Sequence, residues 1–122
     1  MIEDDLRTII AGQLPTVAVY SRFIPPELPE CIAVQEVGGR SSTAGIRRNI
    51  RIIALMACSK DKQYAEVIVR LARDALIRHI PADVNGTHYY TARALADGHV
   101  LMKARNGPRY IETCDLEVVA SI

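Results

Sequence analysis

The stretch Arg47–Cys58, RRNIRIIALMAC, constrains the fold more than any other part of the chain. Its β-branched content reads as a strand. The first half alternates, with Ile50 and Ile52 against Arg51, whereas residues 52–58 are apolar on both faces. A strand with one wet face keeps alternating. This strand therefore needs cover on two sides. The helix that follows it directly supplies one cover. The N-terminal helix or a neighbouring chain must supply the other.

That following helix is predicted over Lys60–Ile80, with Ser59 as its cap and Asp61 in its first turn. Tyr64, Val67, Ile68, Leu71, Ala72, Ala75, Leu76 and Ile80 form a broad apolar face. Glu66, Arg70, Asp74 and Arg78 form an i,i+4 charge ladder opposite, which marks the wet side. Pro81 ends the helix.

A shorter helix opens the chain. Ile2, Leu6, Ile9 and Ile10 fall on one stripe, and Glu3, Asp4 and Asp5 occupy the first turn, where the helix dipole favours acids. Gly12 and Pro15 mark its end. Thr16–Ser21 reads as a strand. Pro25, Pro26 and Pro29 then forbid helix and central strand alike, leaving an extended connection. Cys31–Val37 is the next strand, broken by Gly38-Gly39, and residues 38–45 form a small, polar loop.

Beyond the long helix, Asn85-Gly86 is a turn and Thr87–Leu95 a strand. Asp97-Gly98 signals a hairpin whose return is His99–Arg105. Asn106-Gly107-Pro108 is a further turn. Tyr110–Ala120 alternates cleanly, with Cys114, Leu116 and Val118 on one face and Thr113, Asp115 and Glu117 on the other. The order is helix, three strands, helix, three strands. The predicted class is α+β: a mostly antiparallel sheet with one long amphipathic helix and a short N-terminal helix packed on one face.

The 122 residues fit a single domain, 1–122. A hydrophobic content of 49% against 24% charged is that of an ordinary globular chain. A formal net charge of +1 argues against a strongly basic, sequence-specific nucleic-acid binder. No apolar stretch is long enough to span a membrane. The acidic start MIEDDL does not resemble a secretory signal, so assembly in a cytoplasm is expected.

Catalytic and metal signatures are missing from the pattern. Cys31, Cys58 and Cys114 are widely spaced and lie in apolar or alternating runs, which reads as three buried free thiols. They form no CxxC pair and have no histidine cluster beside them, so no metal is expected. His79, His88 and His99 are scattered. Gly39 and Gly45 lack the Gly-Lys-Ser/Thr of a phosphate loop. The reading is of no catalytic residue and no cofactor.

The charge is split. Residues 1–30 carry five acids against two arginines, a net of −3, and residues 40–51 carry four arginines and no acid. Opposed patches on a near-neutral chain suit protein–protein contact. The candidate interface residues are Arg40, Arg47, Arg48 and Arg51 on one side and Glu3, Asp4 and Asp5 on the other. No aromatic interleaves the arginines to stack on bases, and Tyr89-Tyr90 reads as sheet packing.

Three features carry a resemblance. The first is the short helix, strand, proline-rich link and strand ending in Gly38-Gly39. The second is the long strand running straight into an amphipathic helix. The third is Asn106-Gly107-Pro108-Arg109-Tyr110 leading into an alternating C-terminal strand. Together they resemble the tail-terminator and head–tail joining proteins of long-tailed bacteriophages, the minor capsid or tail completion proteins. The resemblance implies a virion location in the tail or neck, with no catalytic residues. It implies a ring of about six copies that stops the tail tube and receives the head connector. The implied partners are other copies of the chain, the tail tube protein and head connector proteins, with DNA passing through the ring lumen and no membrane. The alternatives are a head-completion connector or another neck or tail subunit and, more remotely, a small enzyme or ligand-binding domain.

Overall fold

A computed structural model gives the fold and describes residues 2–22, 24, 30–41, 48–95, 100–103 and 109–121, with backbone alone at 40, 41 and 100–103. Helix α1 runs from Ile2 to Gln13 and α2 from Lys62 to His79. Seven strands are present among the described residues: β1 (Val19–Ser21), β2 (Cys31–Ser41), β3 (Arg48–Ser59), β4 (Ala82–Val84), β5 (Thr87–Ala94), β6 (Val100–Lys103) and β7 (Tyr110–Ser121). They form one sheet in the order β1-β2-β3-β7-β5-β4, with β6 also paired to β7. Every pairing is antiparallel except β1 with β2, which is parallel. The expected α+β class is what the chain adopts.

The doubly apolar strand sits at the centre. β3 pairs with β2 on one side and, from Arg48↔Ser121 to Ser59↔Tyr110, with β7 on the other. Alternation assigns Ile53, Leu55 and Ala57 to one face, with Ile32, Val34, Cys114, Leu116 and Val118 beside them. These residues form a single buried cluster with Leu6, Ile9 and Ile10 of α1 and Ile68, Val69, Ala72 and Leu76 of α2. Both helices therefore lie on the same face. The N-terminal helix is not the second cover of β3, because it shares the first. The helix-free face carries Ile50, Ile52, Ala54 and Met56 of β3, and Ile50, Ile52 and Met56 remain half-buried.

Several boundaries move for local reasons. Gly12 does not stop α1. The helix runs one residue further, and Leu14 N–H still bonds Ile10 C=O at 2.8 Å before Pro15. β1 starts at Val19 rather than Thr16, since a turn claims the Val17 N–H for Leu14 C=O at 3.1 Å. Helix α2 is capped by Asp61 instead of Ser59. The Asp61 carboxylate accepts from the N–H groups of Gln63 at 2.9 Å and Tyr64 at 3.4 Å, while the Ser59 hydroxyl accepts the N–H of Asp61 at 3.0 Å. Its end is set by Pro81: Ile80, the residue before it, is extended with ψ 132.

Gly38-Gly39 does not break β2. The register shifts between Glu36 and Gly38, a bulge, and pairing continues to Ser41. A Cβ on Gly39 would lie 2.7 Å from the Ile50 carbonyl oxygen, so only glycine allows this close approach. The remainder of the predicted 38–45 loop, from residue 42, lies outside the described residues.

The β5–β6 relation also departs from expectation. Both strands run antiparallel to β7, β5 from Tyr89↔Ala120 to Ala94↔Leu116 and β6 from Val100↔Thr113 to Lys103↔Tyr110. β6 thus continues β5 in the same direction along β7 and is not its hairpin return. Asp97-Gly98 lies outside the described residues. The hairpin that does form joins β5 to β4, a strand the sequence pattern does not signal. Asn85 and Gly86 take φ 49 and 83, the left-handed pair of a two-residue turn.

Candidate assembly surfaces

The seven candidate interface residues divide sharply once placed on the fold. Helix α1 lies against the sheet, and its first-turn acids face different ways. Glu3 and Asp5 are buried, at 6% and 4% exposure, while Asp4 is exposed. Glu3 meets Arg22 at 3.3 Å through one oxygen and accepts the Glu36 N–H at 3.1 Å through the other. The Glu36 carboxylate in turn accepts from Arg51 at 2.8 Å. Asp5 accepts from Asn85 Nδ2 at 2.8 Å and from the buried Tyr89 hydroxyl. Burial and the Asp5 hydrogen bond push the Tyr89 phenol well above its usual range, so it stays a donor.

The acidic and basic segments therefore meet inside one chain. Glu3, Asp5 and Arg51 anchor α1 and the β2–β3 pair to the sheet instead of presenting free charge. A cleft of about 260 Å³ opens beside this seam, lined by Ile2, Asp5, Glu36, Asn49, Arg51 and Tyr89 among others. Arg51 is paired with Glu36, and Asp5 is held by Asn85 and Tyr89, which suits a structural joint.

Asp4 keeps an outward charge. Its carboxylate accepts the Ser21 hydroxyl at 2.7 Å, and this bond, with help from the nearby positive charges, holds its pKa below the usual value. Arg48 is exposed, and its guanidinium lies 4.2 Å from the centre of the Tyr90 ring. Tyr90 meets His88 edge-on at 4.5 Å, and His88 Nδ1 lies 2.7 Å from Asp83. An aromatic does therefore join the arginines, across the sheet and not along the chain. Tyr89 packs inward and its neighbour Tyr90 lies under a cation. Arg40 stands opposite Ile50 in the β2–β3 ladder, at the same end as Arg48. Arg47 lies outside the described residues.

Two apolar surfaces accompany these charges. On the helix-free face, Ile50, Ile52, Gly39 and Glu117 line a shallow groove of about 320 Å³. Val119 is half-buried beside them, and the Arg93–Glu117 pair, at 2.9 and 3.3 Å, borders the patch. On α2, Tyr64, Val67 and Leu71 are 36%, 49% and 42% exposed. The predicted apolar face of this helix is rotated. Ala65, Ile68, Val69, Ala72, Ala75 and Leu76 are buried, and the 64–67–71 stripe lies outside. Small residues at 65, 72 and 75 bring the helix close to the sheet and leave the bulkier stripe at its flank. The expected charge ladder is also altered, with Asp74 paired to its neighbour Arg73 at 3.1 Å.

The three cysteines are buried free thiols, as their apolar runs predicted. Burial raises the pKa of all three, Cys31 to about 11. Among the described residues, no group of three His, Cys, Asp or Glu side chains is placed to hold a metal, and no helix is long and apolar enough to cross a membrane.

No family model matches the sequence, and no curated protein matches it. Solved structures do. A chain from the virion of a native gene transfer agent particle superposes with a TM-score of 0.73 at 10% identity, covering 99% of this chain and 95% of that one. A second solved chain matches with a TM-score of 0.55 at 10% identity, over 96% of this chain and 89% of its own length. At such identity the likeness is one of architecture: from end to end, this chain is similar in fold to a gene transfer agent virion chain.

Proposed function

We propose that the chain is a structural protein of a phage-like virion, a subunit of a ring of about six copies at the head-proximal end of the tail. There it ends the tail tube and receives the head connector. The observation that carries this reading is the fold match to a virion particle chain across 99% of the present chain. The surface supports it. A ring closes through heterologous contacts, which require two unlike patches on one subunit. The helix-free face with Ile50, Ile52 and Arg48 and the α2 stripe with Tyr64, Val67 and Leu71 are two such patches. The charged part of the contact rests on Arg40, Arg47 and Arg48 against Asp4, since Glu3, Asp5 and Arg51 are engaged within the chain.

The test is native mass and negative-stain imaging of concentrated protein, alone and with tail tubes. Rings or capped tube ends are expected. Arg48→Glu should abolish them while leaving the monomer's thermal midpoint within a few degrees, because Arg48 is exposed. A closed twofold dimer, or unchanged capping by the variant, would overturn the reading.

A further inference from the structure

Cys31 is the first residue of β2 and Cys58 the penultimate residue of β3, and the register sets them directly opposite each other. Alternation places both on the helix-free side, away from the core that holds Ile32 and Ala57. Each is 0% exposed. Directly opposed residues of an antiparallel ladder have Cα atoms about 4.5–5.5 Å apart, inside the range that disulfides occupy. Cys114 is also buried but lies on the helix face, opposite Leu55, with no thiol across from it.

We propose that Cys31 and Cys58 are a modification site, a thiol pair that a low-molecular-weight disulfide oxidises reversibly to a cross-strand bridge. The thiolate of one cysteine attacks a sulfur of the external disulfide, expelling one thiol and leaving a mixed disulfide on the chain. The second thiolate then attacks the protein sulfur of that mixed disulfide and expels the other thiol. Two protein thiols lose two protons and two electrons, and the external S–S bond is reduced to two thiols. Access comes from the strand end. Glu30, next to Cys31, is exposed, and the reaction proceeds through local opening at this end of β2. Burial keeps both thiols protonated in the closed state, so attack by the thiolate follows local opening of the strand end.

Such a bridge suits a chain that is made in a reducing compartment and then carried outside it. That setting rests on the virion reading, whereas the reaction does not. A chain that fails to form rings can still form the bridge.

The test is to incubate native protein with excess oxidised glutathione at pH 8, quench with acid, and record intact mass and a non-reducing peptide map. The expected product has lost two hydrogens, retains no glutathione and yields one Cys31–Cys58 cross-linked peptide. Dithiothreitol reverses it, and Cys114→Ser leaves the yield unchanged. The thermal midpoint rises on oxidation and returns on reduction. A chain that stays fully reduced, one that stops at a glutathione adduct, or one that links through Cys114 or between chains would overturn the proposal. The wild-type map decides the matter whether or not a Cys31→Ala variant folds.

Discussion

The two faces of the sheet are built to different standards. On the helix side, Ile32, Val34, Ile53, Leu55, Leu116 and Val118 are all 0% exposed and locked under two helices. On the other side, Ile50, Ile52 and Val119 come from the same strands yet remain half-buried. The difference shows that β3's doubly apolar sequence has one face sealed along its length and a second that is closed at Ala54 and Cys58 but half-open at Ile50 and Ile52. A residue type alone does not reveal which role it plays, but its parity along the strand does.

The sharpest contrast comes from truncation. Leu55→Ala on the covered face should cost about 2–5 kcal/mol, read from urea unfolding, because the site is closed by β2, β7 and both helices. A loss under about 1 kcal/mol would mean that the helix layer is loose. Tyr89→Phe tests the polar seam at the margin of that face. It removes a donor from the buried Asp5 carboxylate and should cost about 1.5–3 kcal/mol. If stability does not change, the seam does not anchor α1.

Alkaline titration tests the buried thiols of the same molecule. Burial lifts the Cys31 thiol from its ordinary 9.0 to about 11. The folded chain holds that proton after the unfolded chain has lost it, so this contribution is complete below pH 9 and is lost as pH rises toward 11. For Cys31 alone the loss is on the order of 3 kcal/mol, with Cys58, Cys114 and Tyr89 acting in the same direction. A flat stability profile across that window would contradict the buried thiol environment. Ile52→Thr on the open face is expected to be mildest for the monomer, below about 1 kcal/mol. It should nonetheless reduce ring yield in native mass measurements. Equal losses of stability for Ile52→Thr and Leu55→Ala would erase the distinction between the faces.

The elements with strong periodicity are legible in the sequence alone. β3, α2 and β7 follow the sequence pattern to within a residue or two, as does the alternation of Cys114, Leu116 and Val118 against Asp115 and Glu117. The seam is not legible there. Asp5 finds Asn85 and Tyr89 across separations of 80 and 84 residues, and three consecutive acids in a first turn look alike until the helix docks. The rotated face of α2 is hidden for a related reason. Tyr64, Val67 and Leu71 satisfy the helical spacing as well as Ala65, Ile68 and Ala72 do, and the close approach that alanines allow decides between the two stripes. β4 has three residues and no alternation to display, and the direction of β6 depends on its partner and not on its own residues. Arg48 above Tyr90 likewise joins positions far apart in the chain.

The outer side of β7 is occupied in two instalments, an eight-residue strand and a four-residue strand separated by residues 95–99. An intact outer strand would offer a passing chain an unbroken row of amide and carbonyl groups to zip onto. Here the row beside β7 comes in two pieces, β5 pairing as far as Leu116 and β6 from Thr113 onward. A chain extending this border would have to pair with two separate strands in place of one, which makes edge-to-edge growth harder here than along a single unbroken strand.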